Sequence, residues 1–142
     1  MPDLASTLKL QIDKLEQLQA CLESELHLIS SRDAEALISL LQGKEVLLDQ
    51  IRQQDQTIET LYQQLPDSQH SDDELDSLFA KAKEMVVQCK YRTEINAKAV
   101  EQGQLRLAHL RNLLLESRAK ESLTYDKSGK TRGMSSGKET SA

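Results

Sequence analysis

The sequence predicts an all-α protein, an antiparallel three-helix bundle or set of helical hairpins with an extended third helix and a disordered C-terminal tail. Three observations predict this class. The 142 residues include two prolines and no tryptophan, and aromatic residues make up only 3%. Leu, Gln, Glu, Lys and Ala, which are good helix formers, dominate the composition. Before residue 118, apolar residues recur at helical spacing along three segments.

The first predicted helix covers residues 4–30. Its apolar residues recur every three or four positions and form one stripe, which comprises Leu4, Leu8, Ile12, Leu15, Leu18, Leu22, Leu26 and Ile29. Charged residues around the stripe, Glu25 among them, are assigned to the solvated face. Asp33 follows as a good N-cap, because its carboxylate can accept from free backbone N–H groups. A second helix is therefore expected to begin at residue 34.

The second predicted helix covers residues 34–65. Its stripe contains Leu37, Leu41, Leu48, Ile51, Ile58 and Leu65. Lys44 and Asp55 also fall at stripe positions, and two explanations stay open: their side chains reach outward at the edge of the stripe, or the stripe shifts to another face. Pro66 ends the helix, because the residue before a proline is pushed out of the helical region.

The third predicted helix covers residues 72–118, and Ser71 with Glu74 forms a capping box at its start. At 1.5 Å per residue, the three helices would be roughly 40, 48 and 70 Å long. The third helix should therefore run out of neighbours near residue 103. We expect a helical domain over residues 1–118 and a flexible polar tail over 119–142, rich in Ser, Thr, Gly and Lys.

The end of the third helix is the candidate binding surface. Large exposed apolar patches mark protein-binding sites. The candidate contacts are Leu105, Leu107, Leu110, Leu113 and Leu114. The alternative is that the tail or another copy of the chain covers these leucines, so a homodimer stays open.

Charge and targeting signals narrow the function. Residues 1–117 carry 12 Lys/Arg against 20 Asp/Glu, and residues 118–142 carry 6 against 3. An acidic body argues against a nucleic-acid surface. The start of the chain has charges where a signal peptide needs an apolar run, and no stretch reaches the roughly 20 apolar residues that span a bilayer. We therefore expect a cytoplasmic protein without membrane insertion.

Catalytic and metal-binding patterns are missing from the sequence. His27, His70 and His109 share no spacing, and Cys21 and Cys89 are lone cysteines on apolar stripes. No glycine-rich nucleotide motif occurs. The sequence thus predicts a protein that is not an enzyme, with no catalytic residue, no metal site and no cofactor.

Two segments resemble the FlgN family of flagellar export chaperones. The family's leucine-rich stretch around a Lys-Glu pair in helix two is similar to LISLLQGKEVLL at 37–48. Its tail, with a tyrosine shortly before glycine and polar residues, resembles LTYDKSGKT at 123–131. In mid helix three the chain keeps Asn96, but it has Thr93 and Ala97 where the family tends to carry a second asparagine and a glycine.

The resemblance implies a specific role and specific partners. FlgN-like chaperones bind the C-terminal helices of the hook-associated (hook-filament junction) proteins, here FlgK and FlgL, and prevent their premature aggregation. They deliver these clients to the flagellar type III export gate protein FlhA and the export ATPase complex. The five leucines would contact the client, and Tyr125 would dock on the gate unless it folds back on the bundle. The alternatives are a non-catalytic coiled-coil adaptor and a sister chaperone for the filament-cap protein.

Overall fold

The computed structural model describes residues 3–70 and 72–127, with side chains through residue 120. Three α-helices cover almost all of this range: α1 (Leu4–Ser31), α2 (Ala34–Gln64) and α3 (Asp73–Lys127). A 3₁₀ turn at Asp67–Gln69 lies between α2 and α3, and the described residues contain no β-strand. The prediction of an all-α helical fold is confirmed.

Helix boundaries follow the local capping signals. Asp3 and Asp33 accept the backbone N–H groups of Ser6 at 2.7 Å and Ala36 at 3.1 Å, which begins α1 and α2. The hydrogen bond from Ser6 lowers the pKa of the Asp3 carboxyl. Asp72 accepts the Glu74 N–H at 2.9 Å at the start of α3. The predicted cap Ser71 lies outside the described residues.

Two helix ends have distinct causes. Arg32 takes the left-handed conformation with φ 62°, which stops α1 before α2 begins. Leu65 is extended ahead of Pro66, which stops α2. Helix α3 continues to Lys127, nine residues past its predicted end at 118. Residues 119–127 contain no proline or glycine, so the two strongest helix breakers are missing from this stretch of the sequence.

The chain divides into two compact units, residues 1–99 and 100–142. The first unit holds the core, in which α1 lies between the other two helices. Apolar side chains meet there in three successive clusters, with buried members Leu4, Leu8, Ile58 and Leu75; Ile12, Leu15 and Met85; and Leu18, Leu22 and Cys89. The order of these contacts shows that α1 runs parallel to residues 73–99 of α3 and that α2 is antiparallel to both.

A polar cluster joins all three helices near the end of this core. Lys44 Nζ donates to both carboxylate oxygens of Glu25, at 2.9 and 3.1 Å. Asn96 Nδ2 donates to Glu25 Oε1 at 2.8 Å and to the Leu22 carbonyl at 3.0 Å. Glu25 and Asn96 are 5% and 4% exposed. The assignment of Glu25 to the solvated face was wrong, because its charge is compensated by Lys44 and Asn96.

A second polar contact ties α1 to α2 nearer the other end. Gln11 Nε2 donates to Asp55 Oδ1 at 2.7 Å and to the Ile51 carbonyl at 3.0 Å. Lys44 and Asp55, the two polar residues at stripe positions of α2, therefore both bond to α1. The stripe keeps its face, and these positions carry interhelical hydrogen bonds in place of apolar contacts.

The polar cluster yields a stability prediction. Replacing Lys44 by Met leaves the Glu25 carboxylate buried with its cation removed, which costs far more than an exposed pair is worth. We expect Lys44→Met to lower the free energy of unfolding by about 2 kcal/mol, measured by urea titration followed by circular dichroism. The double variant Glu25→Gln/Lys44→Met should regain part of this loss, because the introduced amide carries no charge and its oxygen still accepts from Asn96.

The control is an ion pair on the surface. Arg52 pairs with Asp49 at 2.7 Å, and both side chains are more than 60% exposed. Arg52→Met should change the free energy of unfolding by less than about 0.5 kcal/mol. Equal effects of Lys44→Met and Arg52→Met would show that the Glu25 carboxylate gains nothing from Lys44.

Candidate functional site

The five candidate leucines lie in the second unit, on the C-terminal half of α3. All are exposed, from 47% at Leu113 to 63% at Leu105. Leu107, Leu110 and Leu114 are spaced i, i+3 and i+7, which places them on one face of the helix. This leucine-rich segment, residues 105–115, thus presents a contiguous apolar stripe on its exposed surface.

Charged side chains accompany the leucine-rich segment. Arg106 and Arg111 stand within it and are exposed, as is Glu116 just after it. Apolar anchors at i, i+3 and i+7 suit helix-in-groove packing, in which another helix or groove covers the stripe. The arginines would favour a covering surface with carboxylates at its edge. The segment can therefore bind protein through apolar contact with a cationic border.

Tyr125 falls in the last turn of α3, since this helix extends to Lys127. Its side chain lies outside the described residues, as does the rest of the predicted tail from residue 128. The two explanations for Tyr125, gate docking and folding back on the bundle, both stay predictions.

The first unit contains a groove that sequence reasoning did not find. This α2–α3 groove has a volume of about 450 Å³ and lies between α2 and α3 with α1 as its floor. Leu8, Gln11 and Leu15 form the floor. The walls are Ile51, Asp55 and Ile58 on α2 and Phe79, Ala82, Lys83, Val86 and Val87 on α3.

The walls of the groove are mainly apolar and remain accessible. Val86 and Val87 are 37% and 57% exposed. The floor contains a buried polar atom without a hydrogen bond: Gln11 Oε1 accepts none from the described residues. A single-helix stripe pattern cannot reveal such a groove, because it depends on the distance between α2 and α3. A local hint in the sequence is Val87, an apolar residue directly after Val86, so that α3 carries apolar side chains on two adjacent positions there.

The two cysteines are among the described titratable groups with shifted pKa values. Cys21 and Cys89 are free thiols, and burial raises the pKa of each above its ordinary value, which makes them poor nucleophiles. Within residues 3–70 and 72–127, no group of three His, Cys, Asp or Glu side chains is placed to hold a metal ion. None of the described helices is both long and apolar enough to cross a bilayer.

One comparison with known proteins gives a match. The model of the FlgN protein family matches residues 1–133. No match to the chain was found among curated proteins or among solved structures.

Proposed function

The chain belongs to the FlgN family and is a flagellar export chaperone, and we propose that in this role it holds the C-terminal helices of the hook-associated proteins FlgK and FlgL. Its clients would be kept from premature aggregation and brought to the flagellar type III export gate. The observation that carries this proposal is the exposed leucine-rich segment of α3.

Leucine burial supplies a large part of the free energy of this contact. Burying one fully exposed leucine is worth roughly 1.5–3 kcal/mol. Because the five leucines are 47–63% exposed, their burial supplies about half of that each, on the order of 4–8 kcal/mol in total. Micromolar binding needs about 8 kcal/mol after the entropy costs of association, so the client's own apolar surface and its polar contacts must supply the rest.

The client's chemistry follows from the segment. It would be an amphipathic helix whose apolar stripe packs on Leu107, Leu110 and Leu114. Carboxylates beside that stripe would pair with Arg106 and Arg111. Terminal helices that wait to assemble carry such stripes and aggregate when they are left uncovered.

Delivery is assigned to a different part of the chain. We propose that residues 1–118 act as the chaperone domain and that 119–142 serve contacts with the export machinery in the cytoplasm. Tyr125 would dock on FlhA or on the export ATPase complex, since a tyrosine offers large contact area with little entropy to lose. Client binding and gate docking would then be separable by mutation.

The client site is tested with Leu110→Asp/Leu114→Asp. Two carboxylates on the apolar stripe should abolish co-purification with the C-terminal segments of FlgK and FlgL. The free energy needed to bury two carboxylates exceeds the free energy gained by burying the remaining leucines. Helicity should stay near that of the wild type, since both side chains are about half exposed. Co-expression followed by affinity capture and sizing gives the measurement.

A matched control adds the same two charges to the opposite face of the same turns. Ala108 and Asn112 are exposed and lie by helical spacing away from the Leu107–Leu110–Leu114 face, on the side of Leu105. Because the three main leucines are untouched, Ala108→Asp/Asn112→Asp should weaken client capture far less than the leucine variant does. Undiminished capture by the leucine variant would refute the site, and capture of a filament-cap protein alone would favour the sister chaperone.

Gate docking is tested with Tyr125→Ala. Client capture should be unchanged, while secretion of the hook-associated proteins should fall several-fold, because the aromatic anchor is lost. Tyr125→Phe keeps the ring and should secrete close to the wild-type level. If culture supernatants of the Tyr125→Ala strain contain normal amounts of these proteins, Tyr125 does not contact the gate.

A further inference from the structure

Among the described residues, the α2–α3 groove and the leucine-rich segment are exposed apolar surfaces of different shape, and we propose that they fit each other between two copies of the chain. The α2–α3 groove of one copy would receive the leucine-rich segment of a second copy. This contact goes beyond the proposed chaperone function and requires no client.

The shapes are complementary. A groove between two helices accepts a third helix through its apolar stripe. The groove offers apolar walls, among them Ile58, Phe79 and Val86. The segment offers Leu107, Leu110 and Leu114 on one helical face, each more than half exposed. Binding of these three leucines in the groove would cover the α1 residues that form its floor.

The charges are complementary as well. Residues 1–99 carry 10 Lys/Arg against 18 Asp/Glu, a net −8, whereas residues 100–142 carry 8 against 5, a net +3. The α2 side of the groove is acidic, since Asp55 lines it and Glu59 follows by one helical turn, whereas Lys83 lines the α3 side. Arg106 and Arg111 border the leucine stripe and would face such an acidic edge. Opposite net charge also speeds encounter between the two surfaces.

The contact is reciprocal, which favours a closed dimer. Each copy has one groove and one segment, and the dimer that we propose is the symmetric one, in which both grooves are filled about a two-fold axis. Repeating the contact doubles the buried area relative to one segment in one groove, toward the roughly 1,200–2,000 Å² of a stable interface. The leucines that a client would use are then covered while no client is present.

Self-association of the full chain, measured by gel filtration with light scattering, tests the proposal. We expect a species of twice the 16.0 kDa chain mass at tens of micromolar, which dissociates on dilution and at higher salt. Val87→Asp in the groove and Leu110→Asp/Leu114→Asp in the segment should each weaken the dimer by at least tenfold. Val87→Arg should act like Val87→Asp, because both block the groove whatever their charge.

Matched controls exist for both variants. Val46 is 58% exposed against 57% for Val87, and it does not line the groove. Val46→Asp, Val46→Arg and Ala108→Asp/Asn112→Asp should therefore remain dimeric. Circular dichroism verifies that every variant keeps wild-type helicity.

Mixing the two defective variants gives the sharpest test. The Val87→Asp chain keeps an intact segment, and the Leu110→Asp/Leu114→Asp chain keeps an intact groove. The mixture keeps one of the two contacts, so a heterodimer should appear in it only at concentrations well above those at which the wild type dimerises, where either variant alone is still monomeric. Such complementation cannot arise from a segment that covers a groove within its own chain.

Two outcomes overturn the proposal: a wild-type monomer at every concentration up to about 100 µM, or a dimer that Val87→Asp and Val87→Arg leave intact. Neither of them bears on client binding, since no client is present. If a monomeric chain still captures the client through its leucines, the proposed function holds and only the dimer is wrong. If the chain dimerises but its leucine variant still captures the client, the dimer holds and only the client site is wrong.

Discussion

Burial of the apolar stripe of α1 is the constraint on which the rest of the structure depends. Of the buried apolar side chains, six belong to α1, three to α3 and one to α2. Helices α2 and α3 are thus held mainly through α1, each against its own side of the stripe. Tyr62 on α2 packs edge-on against Phe79 on α3 at a ring distance of 5.7 Å, but from there to Val87 the seam between α2 and α3 is open over the α1 floor. The α2–α3 groove is a direct consequence of this unequal division of the core.

A core built from one regular leucine stripe has a weakness, because successive turns look alike and the helices could slip by one turn at small cost. Polar contacts near the two ends of the core oppose such a slip. Gln11 and Asp55 join α1 to α2 at one end, and Glu25, Lys44 and Asn96 join all three helices at the other. A shifted register would leave the Glu25 carboxylate buried without its cation, a penalty of several kcal/mol. The polar residues thereby fix the register of the apolar contacts.

Local signals made the helices predictable from the sequence, and long-range contacts made the rest unpredictable. Stripes and caps act over a few residues, so the predicted ends of α1 and α2 lie within one residue of the observed ones. Glu25 was misplaced because its partners Lys44 and Asn96 are 19 and 71 residues away. The end of α3 was set too early because Ser and Lys signal a tail by composition without breaking a helix. Exposure of the leucines was predictable from the length of the third helix, which outruns its two neighbours, whereas the groove depends on the placement of all three helices.

The division between core and leucines has a functional meaning. None of the clusters that stabilise the first unit includes a residue of the segment 105–115. Changes in these leucines can therefore tune binding without a cost in the free energy of unfolding. A chaperone must show its apolar surface to a client, yet that surface promotes aggregation while no client is bound. The proposed weak contact with a second copy would resolve this conflict, since a client with higher affinity for the same leucines would displace the partner by mass action. The affinity of the chain for a second copy would then determine how tightly a client must bind to displace that copy.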